Sequence, residues 1–400
     1  MLATRMKRIS SSPTMKGLVA AQRLRQAGFD VVDLSAGEPD FPTPEHVKAA
    51  AHAAIDANLT KYTANTGTPE LKRAIAARYK TDYGVEYGDA EIIVSAGGKQ
   101  ALVNTALVLF DEGDEVVTHA PGWPTIFEQI KFTGATPVIV RTRAEDGFTL
   151  TANAVLEALT PRTKAIVINS PCNPTGAVIS EAEMVRIADA AARRGIWVVL
   201  DLCYEKLIYD PQPHNLPRIL DERMRDRAII TGTASKTYAM TGWRCGWALG
   251  PREVIAACGA LQSHSTSNVC SITQRASVSA LTGPQDCVTE MLDEYRRRRD
   301  LIWELVTAES RIRCVKPAGA FYLFVDVSDL LSPEGLRTSA AVADALLEQY
   351  HVVVTAGEGF DAPGFLRLSY ATSAERLREA AKRFHDFVEM AEKRHPAARV

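Results

Sequence analysis

The chain has 400 residues, of which 46% are hydrophobic and 24% charged, and its formal net charge is −2. This length and composition predict a globular protein of two domains, and the near-neutral charge excludes a global field that would attract nucleic acid or anionic lipid. No stretch approaches 18 apolar residues, so we expect no membrane span. The N-terminus lacks a signal-peptide core and the seven cysteines form no CxxC pair, so we expect a cytoplasmic location.

Helical and strand-like segments alternate from about residue 45 to residue 285. The predicted helices are Glu45–Ala57, Pro69–Tyr83, Gly98–Phe110 and Ser180–Arg194. The predicted strands are Glu91–Ser95, Glu115–His119, Pro137–Arg141, Lys164–Asn169, Ile196–Asp201, Ala228–Thr231 and Cys245–Leu249. Strands separated by helices predict an α/β fold with a mainly parallel sheet covered on both faces.

The pattern changes after about residue 290 and predicts a smaller α+β unit. Its elements are helix Glu294–Glu309, strand Phe321–Val327, helix Ser339–Tyr350, strands Val352–Thr355 and Phe365–Tyr370, and helix Ser373–Arg394. We assign the N-terminal segment, with helix Lys16–Gln26, to the same unit. The expected domains are therefore residues 45–288, and residues 1–44 together with 289–400.

One run between two predicted strands has the groups needed to hold a phosphorylated aldehyde. In this run Lys236 follows the small hydroxyl residue Ser235, and Arg244 lies eight residues after the lysine. The amine can form a Schiff base with the aldehyde, while the hydroxyl and the guanidinium can bind the phosphate. Enzymes that use pyridoxal phosphate (PLP) hold their cofactor in this way, so we take PLP as the working hypothesis.

Three more candidate groups lie at the ends of predicted strands, where ligands of open α/β sheets bind. Gly98 opens a helix whose backbone N–H groups can bind phosphate, although glycines also occur there for steric reasons alone. Asn173, between two prolines, either presents a donor to a ligand or closes an Asx turn. Asp201 ends an apolar strand, so it pairs either with a cation such as a pyridinium ring or with structural partners.

Two further side chains have both a structural and a functional interpretation. Trp123 follows the strand Glu115–His119, and its ring is either part of the core or stacked on a flat cofactor. Arg367 lies inside an apolar strand, where a lone guanidinium needs an anion. A substrate carboxylate would satisfy it with two parallel hydrogen bonds.

Together these motifs resemble the fold-type I PLP-dependent aminotransferases of class I/II, and within them the bacterial aspartate-aminotransferase-like subgroup. The resemblance extends from Gly37-Glu38-Pro39-Asp40-Phe41 through Lys61-Tyr62-Thr63 to Leu368-Ser369-Tyr370-Ala371-Thr372. It implies the PLP-transferase fold, PLP as the cofactor, and ping-pong exchange of an amino group between an L-amino acid and a 2-oxo acid.

The resemblance also implies a role for each matching residue. Lys236 carries PLP and then acts as the base, Asp201 keeps the ring nitrogen protonated, and Tyr204 and Asn173 donate to the phenolic oxygen. Trp123 stacks on the ring and contacts the substrate. The implied phosphate ligands are Gly98, Lys99, Ser235 and Arg244, with Thr233 as a weaker candidate.

The substrate and the subunit arrangement follow from the same resemblance. Arg367 matches the ligand of the substrate α-carboxylate, helped by Asn173 and the backbone of Gly37. Tyr62 matches a tyrosine that reaches the phosphate of the neighbouring subunit, which implies a homodimer with shared active sites.

Specificity depends on two further positions. Lys99 matches a lysine that meets the distal carboxylate in aspartate-specific relatives, or is simply an exposed lysine, and Thr14 falls in the segment that closes over substrate. The expected substrates are therefore aspartate and glutamate with 2-oxoglutarate and oxaloacetate. Departures from the subgroup at Gly122, Pro124–Phe127 and Leu202-Cys203 keep open an aminotransferase for aromatic or other neutral amino acids. A PLP-dependent β-lyase stays open as well, because it shares the Lys236 constellation on the same scaffold.

Overall fold

The computed structural model describes residues 3–10, 13–210, 214–332 and 335–394. Its helices are α1 (Pro13–Gln26), α2 (Glu45–Asp56), α3 (Pro69–Tyr83), α4 (Gly98–Leu109), α5 (Pro124–Thr133), α6 (Ala152–Glu157), α7 (Glu181–Arg194), α8 (Leu216–Met224), α9 (Ala234–Thr237), α10 (Arg252–Ser263), α11 (Ser271–Thr282), α12 (Asp286–Thr307), α13 (Ser339–Tyr350) and α14 (Ala374–Arg394). Its strands are β1 (Val32–Asp33), β2 (Ile92–Ser95), β3 (Glu115–Ala120), β4 (Thr136–Arg141), β5 (Thr163–Asn169), β6 (Trp197–Asp201), β7 (Ala228–Thr233), β8 (Gly246–Leu249), β9 (Arg313–Cys314), β10 (Tyr322–Asp326), β11 (Val352–Val353), β12 (Thr355–Ala356) and β13 (Phe365–Ser369).

A seven-stranded sheet forms the centre of the protein, in the order β2-β8-β7-β6-β5-β3-β4. Strands β3 to β7 pair in parallel, and β8 is antiparallel to both β2 and β7. Side chains alternate between the two faces, so Ile166 and Ile168 of β5 enter one hydrophobic cluster while Ala165 and Val167 enter another. Both faces are thus covered by helices, and the predicted α/β fold is confirmed.

Parallel pairing brings the carboxyl ends of β5, β6 and β7 to one edge of the sheet. Asn169 of β5 lies beside Asp201 of β6, and Asp201 lies beside Thr231 of β7. The loops that follow these strands therefore begin next to one another, as expected for the ligand-binding edge of an open α/β sheet.

A second, smaller set of elements has its own hydrophobic cluster. The antiparallel sheet β12-β13-β10-β9 and the parallel pair β1-β11 pack with α12, α13 and α14 around side chains such as Phe321, Leu346 and Phe384. Val32 and Leu34 enter this cluster from the N-terminal segment. We propose the domain division given above, with its boundary at residue 288 inside the first turn of α12.

Some predicted boundaries differ from the structure. The predicted strand Val352–Thr355 consists of two short strands, because Val352 pairs with Val32 whereas Thr355 pairs with Arg367 in a different sheet. The long charged helix begins at Asp286 rather than at Glu294. The sequence patterns do not predict helices α5, α6, α8, α9, α10 and α11.

Candidate active site

A cavity of about 580 Å³ opens at the carboxyl edge of the large sheet. Its wall combines residues of the sheet loops with residues of the smaller unit. With the exception of Tyr62 and Thr14, all residues predicted to contact cofactor or substrate line it: Gly37, Gly98, Lys99, Trp123, Asn173, Asp201, Tyr204, Ser235, Lys236, Arg244, Arg367 and the weaker candidate Thr233.

Tyr62 and Thr14 stand apart from this cavity. The Tyr62 side chain is 90% exposed and borders a second cavity, with Leu59, Lys61 and Arg275 in its wall. It is therefore free to contact another molecule. Thr14 lies in α1, and its side chain falls outside the part of the chain that is described, so its role stays a prediction.

One end of the cavity is built to bind an anion. The start of α4 follows Gly97, whose φ of +85° favours glycine, and an added Cβ there would lie 2.5 Å from Nη2 of Arg244. The absent side chain lets the guanidinium lie against the helix start, where it donates to the carbonyls of Ala96 (3.3 Å) and Thr241 (2.8 Å). Unpaired N–H groups at a helix N-terminus and an arginine together suit a phosphate.

The Asp201 carboxylate lies deep in the cavity and is almost completely buried. It accepts hydrogen bonds from Nδ2 of Asn169 (3.1 Å) and from the backbone N–H of Cys203 (3.1 Å). These donors are neutral, and burial raises the pKa of Asp201 to about 7. A buried carboxylate with neutral partners fits a cationic ring nitrogen, which would supply the missing charge.

The raised pKa makes a testable prediction for the protein without PLP. Because the folded state favours neutral Asp201, its contribution to stability is present near pH 4 and is lost as pH rises toward 7. We expect Asp201→Asn to raise the free energy of unfolding of the PLP-free protein at pH 8 by about 2–4 kcal/mol, with little effect at pH 4. Denaturant unfolding of both proteins across this range measures the difference. A difference that does not vary with pH would contradict the assignment.

Lys236 projects into the cavity from α9, the short helix after β7. Thr233 caps this helix by accepting a hydrogen bond from the backbone N–H of Ser235 (3.1 Å). The Lys236 amine donates to the carbonyl of Gly37 (2.6 Å), and its pKa is lowered, chiefly by burial and further by the charges of Arg244 and Arg367. A lowered pKa leaves more of the amine neutral, the form that acts as nucleophile and base.

Arg367 forms the opposite wall, on β13. Its guanidinium donates to Oδ1 of Asn173 (3.0 Å) and to the carbonyl of Ser35 (2.7 Å), and it lies over the ring of Tyr322 at 4.4 Å from the centroid. Its Nε is buried with no partner, and within the described ranges no carboxylate pairs with it. Arg367 therefore has a charge and a donor available for a carboxylate ligand.

Trp123 and Lys99 meet at the cavity wall. Nζ of Lys99 lies over the Trp123 ring, 5.1 Å from its centroid. The pKa of Lys99 is lowered by partial burial and then by the nearby charge of Arg244. Lys99 is an exposed residue that also lines the cavity.

The structure adds residues that had not been assigned a role. Asn169 connects two predicted site residues, because its Nδ2 donates to Asp201 and its Oδ1 accepts from the backbone N–H of Asn173 (2.9 Å). The hydroxyl of Tyr322 lies 2.9 Å from that of Tyr204. The position of Asn169 at the end of a predicted strand could have indicated its place in the site. No feature of the sequence indicates that Tyr322 belongs to the site. The other wall residues without a predicted contact are Glu38, Leu102 and Thr241, and Cys203, one of the departures noted in the sequence, also lines the cavity.

Two negative observations complete the description. Among the residues described, no cluster of His, Cys, Asp or Glu could hold a metal ion. None of the helices described is both long and apolar enough to cross a bilayer.

The groups in the cavity fit PLP and an amino acid together. They provide an anion site at a helix start and a lysine with lowered pKa. Among the described residues they also provide a buried carboxylate without a cation and an arginine without a carboxylate partner. A fold and a site of this kind define a PLP-dependent enzyme that acts on carboxylate-bearing amines.

Comparison with known proteins identifies the family. Residues 30–384 match the model of the family "Aminotransferase class I and II". An aspartate aminotransferase of Geobacillus stearothermophilus is 41% identical, with 97% of this chain and 99% of the relative covered, and an aspartate/prephenate aminotransferase of Cereibacter sphaeroides is 41% identical, with 96% and 98% covered. The structure of Thermus thermophilus aspartate aminotransferase with maleate superposes with a TM-score of 0.92 at 40% identity, covering 97% of this chain and 99% of that one.

The chain therefore belongs to the class I and II aminotransferases, and it is a PLP-dependent transaminase. The family resemblance, the enzyme class and the cofactor predicted from the sequence are confirmed.

Proposed function

We propose that this transaminase exchanges amino groups between aspartate or glutamate and the oxo acids 2-oxoglutarate and oxaloacetate. The observation that carries the proposal is that two cations of the cavity wall, Lys99 and Arg367, are left for the substrate once Lys236 and Arg244 are assigned to the cofactor. Neither of the two pairs with a carboxylate among the described residues. A dicarboxylate substrate needs two such groups. The relatives named aspartate aminotransferase, and the related structure with maleate, a dicarboxylate, support this choice.

We assign the cofactor contacts to the cavity residues. Gly98, the backbone of Lys99, Ser235 and Arg244 hold the phosphate, with Thr233 beside them. Asp201 would hold the ring nitrogen in its protonated form, Asn173 and Tyr204 would donate to the phenolic oxygen, and Trp123 would stack on the ring. When bound, PLP supplies a carbonyl that captures amines and a ring that withdraws electrons from the amine carbon.

The remaining residues bind the substrate and move its proton. Arg367 binds the α-carboxylate through parallel hydrogen bonds, next to Asn173 and the backbone of Gly37. This contact orients the substrate Cα–H toward Nζ of Lys236. With PLP bound, the neutral amine would take up that proton at Nζ as base and would release it again as acid.

Lys99→Ala tests the acidic-substrate assignment. We expect kcat/KM for aspartate to fall about 10- to 100-fold, because the distal carboxylate loses its cation, while kcat/KM for alanine and phenylalanine changes less than about threefold. The control is Lys164→Ala, which removes an exposed lysine outside the cavity.

Other results would favour the alternatives. An unchanged kcat/KM for aspartate in Lys99→Ala would contradict the role of Lys99 and favour an aminotransferase for aromatic or other neutral amino acids. Release of ammonia and pyruvate from cysteine conjugates, without stoichiometric exchange of amino and oxo groups, would identify a β-lyase.

We infer that the enzyme is a homodimer in which Tyr62 contacts the phosphate bound by the partner subunit. Its side chain is 90% exposed, and the apolar side chain of Leu59, which lines the same cavity, is 45% exposed. Apolar exposure beside an exposed tyrosine is typical of protein interfaces.

We also propose a cytoplasmic location, which agrees with seven cysteines that are all free thiols.

A further inference from the structure

Gln262 is a completely buried amide near the end of α10, outside the cavity wall. Its Nε2 donates to the carbonyls of Asn65 (2.6 Å) and Val94 (2.8 Å). Its Oε1 accepts from Oγ of Ser95 (2.7 Å) and from Nδ2 of Asn104 (3.0 Å). Both donor hydrogens and both acceptor positions of the amide are thus used.

The partners of Gln262 belong to two parts of the proposed phosphate site. Ser95 ends β2 just before the glycines at the start of α4, and Asn104 lies further along α4. Asn65 follows Tyr62 by three residues, in the loop that precedes α3. One side chain therefore fixes the phosphate-binding helix start relative to the loop that carries Tyr62.

The chemistry of this position requires an amide. A carboxylate could accept the two hydrogen bonds from Ser95 and Asn104 but could not donate to the two carbonyls, and an apolar side chain would leave every partner without its bond. Unpaired polar groups in a buried place cost free energy, so the neighbouring segments would shift to find other partners.

A second buried glutamine, Gln274, provides a matched comparison. Its Oε1 accepts from the backbone N–H of Thr68 (2.8 Å), and its Nε2 donates to Oγ1 of Thr63 (3.0 Å) and to the carbonyl of Val269 (2.8 Å). It therefore holds the same loop as Gln262, without a hydrogen bond to β2 or α4.

We propose that Gln262 is a positioning residue that sets the affinity of the enzyme for the phosphate end of PLP. It acts on the site of its own chain through the start of α4, and on the site of the partner through the Tyr62 loop. The second effect rests on the homodimer proposed above, whereas the first does not.

The test compares Gln262→Met with Gln274→Met, both of which replace a buried amide by an apolar side chain of similar size. PLP affinity is measured from the visible absorbance of the holoenzyme on dilution, and stability from the unfolding midpoint. We expect Gln262→Met to raise the Kd for PLP about tenfold or more, the equivalent of at least one net hydrogen bond. With PLP saturating, KM for aspartate should change less than about twofold, and Gln274→Met should raise the Kd clearly less at a similar loss of stability.

Two outcomes of this comparison would overturn the proposal. Equal increases in Kd for both variants would assign the effect to the loop that carries Tyr62, which both glutamines hold. An unchanged Kd with a lowered unfolding midpoint would show that Gln262 has only a structural role. If Gln262→Met does not fold, Ser95→Ala removes one hydrogen bond at the strand end, and we expect about threefold weaker PLP binding. Unchanged affinity in that variant would also overturn the proposal.

Tyr62→Phe separates this inference from the proposed dimer. In a Tyr62→Phe background, Gln262→Met should raise the Kd for PLP by a smaller factor than it does in the wild-type enzyme. The increase that remains is the part of the effect that acts through α4. If Tyr62→Phe itself leaves the Kd unchanged, the shared site is wrong, while a full effect of Gln262→Met would still support the helix-start part.

Discussion

Lys236→Ala should lower the rate of both half-reactions by at least about 10⁴-fold, because one side chain provides both the covalent attachment and the base. PLP would still bind through the phosphate site and Asp201. The expected spectrum is that of the free aldehyde, without the absorbance of lysine-bound PLP. The measurement combines single-turnover kinetics with visible absorbance of the purified protein.

Lys80→Ala is a suitable control for this experiment. Lys80 is an exposed lysine that pairs with Glu86 on the surface, so its removal should change neither spectrum nor rate. A Lys236→Ala protein that kept the wild-type spectrum would refute the assignment of Lys236.

Arg367→Ala should lower kcat/KM by about 10³-fold for every amino acid and oxo acid, since the α-carboxylate is common to all of them. This uniform loss differs from the selective loss expected for Lys99→Ala. Arg367→Lys should recover part of the activity, because a lysine keeps the charge but not the parallel hydrogen bonds. Kinetics with an acidic, a neutral and an aromatic donor measure the pattern.

The spectrum of bound PLP serves as the internal control for Arg367→Ala. It should remain unchanged, because Arg367 is assigned to the substrate and not to the cofactor. Arg141→Ala removes an exposed arginine that pairs with Asp361, and it should leave the kinetics unaltered. Selective loss for one class of donor would contradict the α-carboxylate role.

Local sequence signals explain which elements were predictable. α3 has its predicted bounds because Thr68 caps it, Pro69 occupies the first helical position and Gly84 ends it in the left-handed conformation. α11 was missed because serines, threonines and β-branched residues have low helix propensity, and the helix is stabilised by packing against neighbouring helices. The separation of β11 from β12 depends on pairing with distant strands, which local patterns do not encode.

The site residues also differ in whether local sequence signals can predict them. Asp201 and Asn173 were predictable because parallel strands bring their carboxyl ends to one edge. Tyr322 reaches Tyr204 only through the packing of the smaller unit on the larger one, and Gln262 lies within a helix with no local mark of its buried network. Contacts of this type are set by tertiary packing and become visible only in the folded structure.

The contact between Arg367 and Asn173 has a consequence for handling the protein. Arg367 lies on a strand of the smaller unit and Asn173 on a loop of the larger sheet, so a carboxylate bound between them touches groups anchored in both hydrophobic cores. With the role proposed for Arg367, such a ligand binds only when both cores are folded, and its stabilisation grows with the logarithm of its concentration. A non-reactive dicarboxylate added during purification and storage would then act as a preservative that delays heat inactivation of the whole chain.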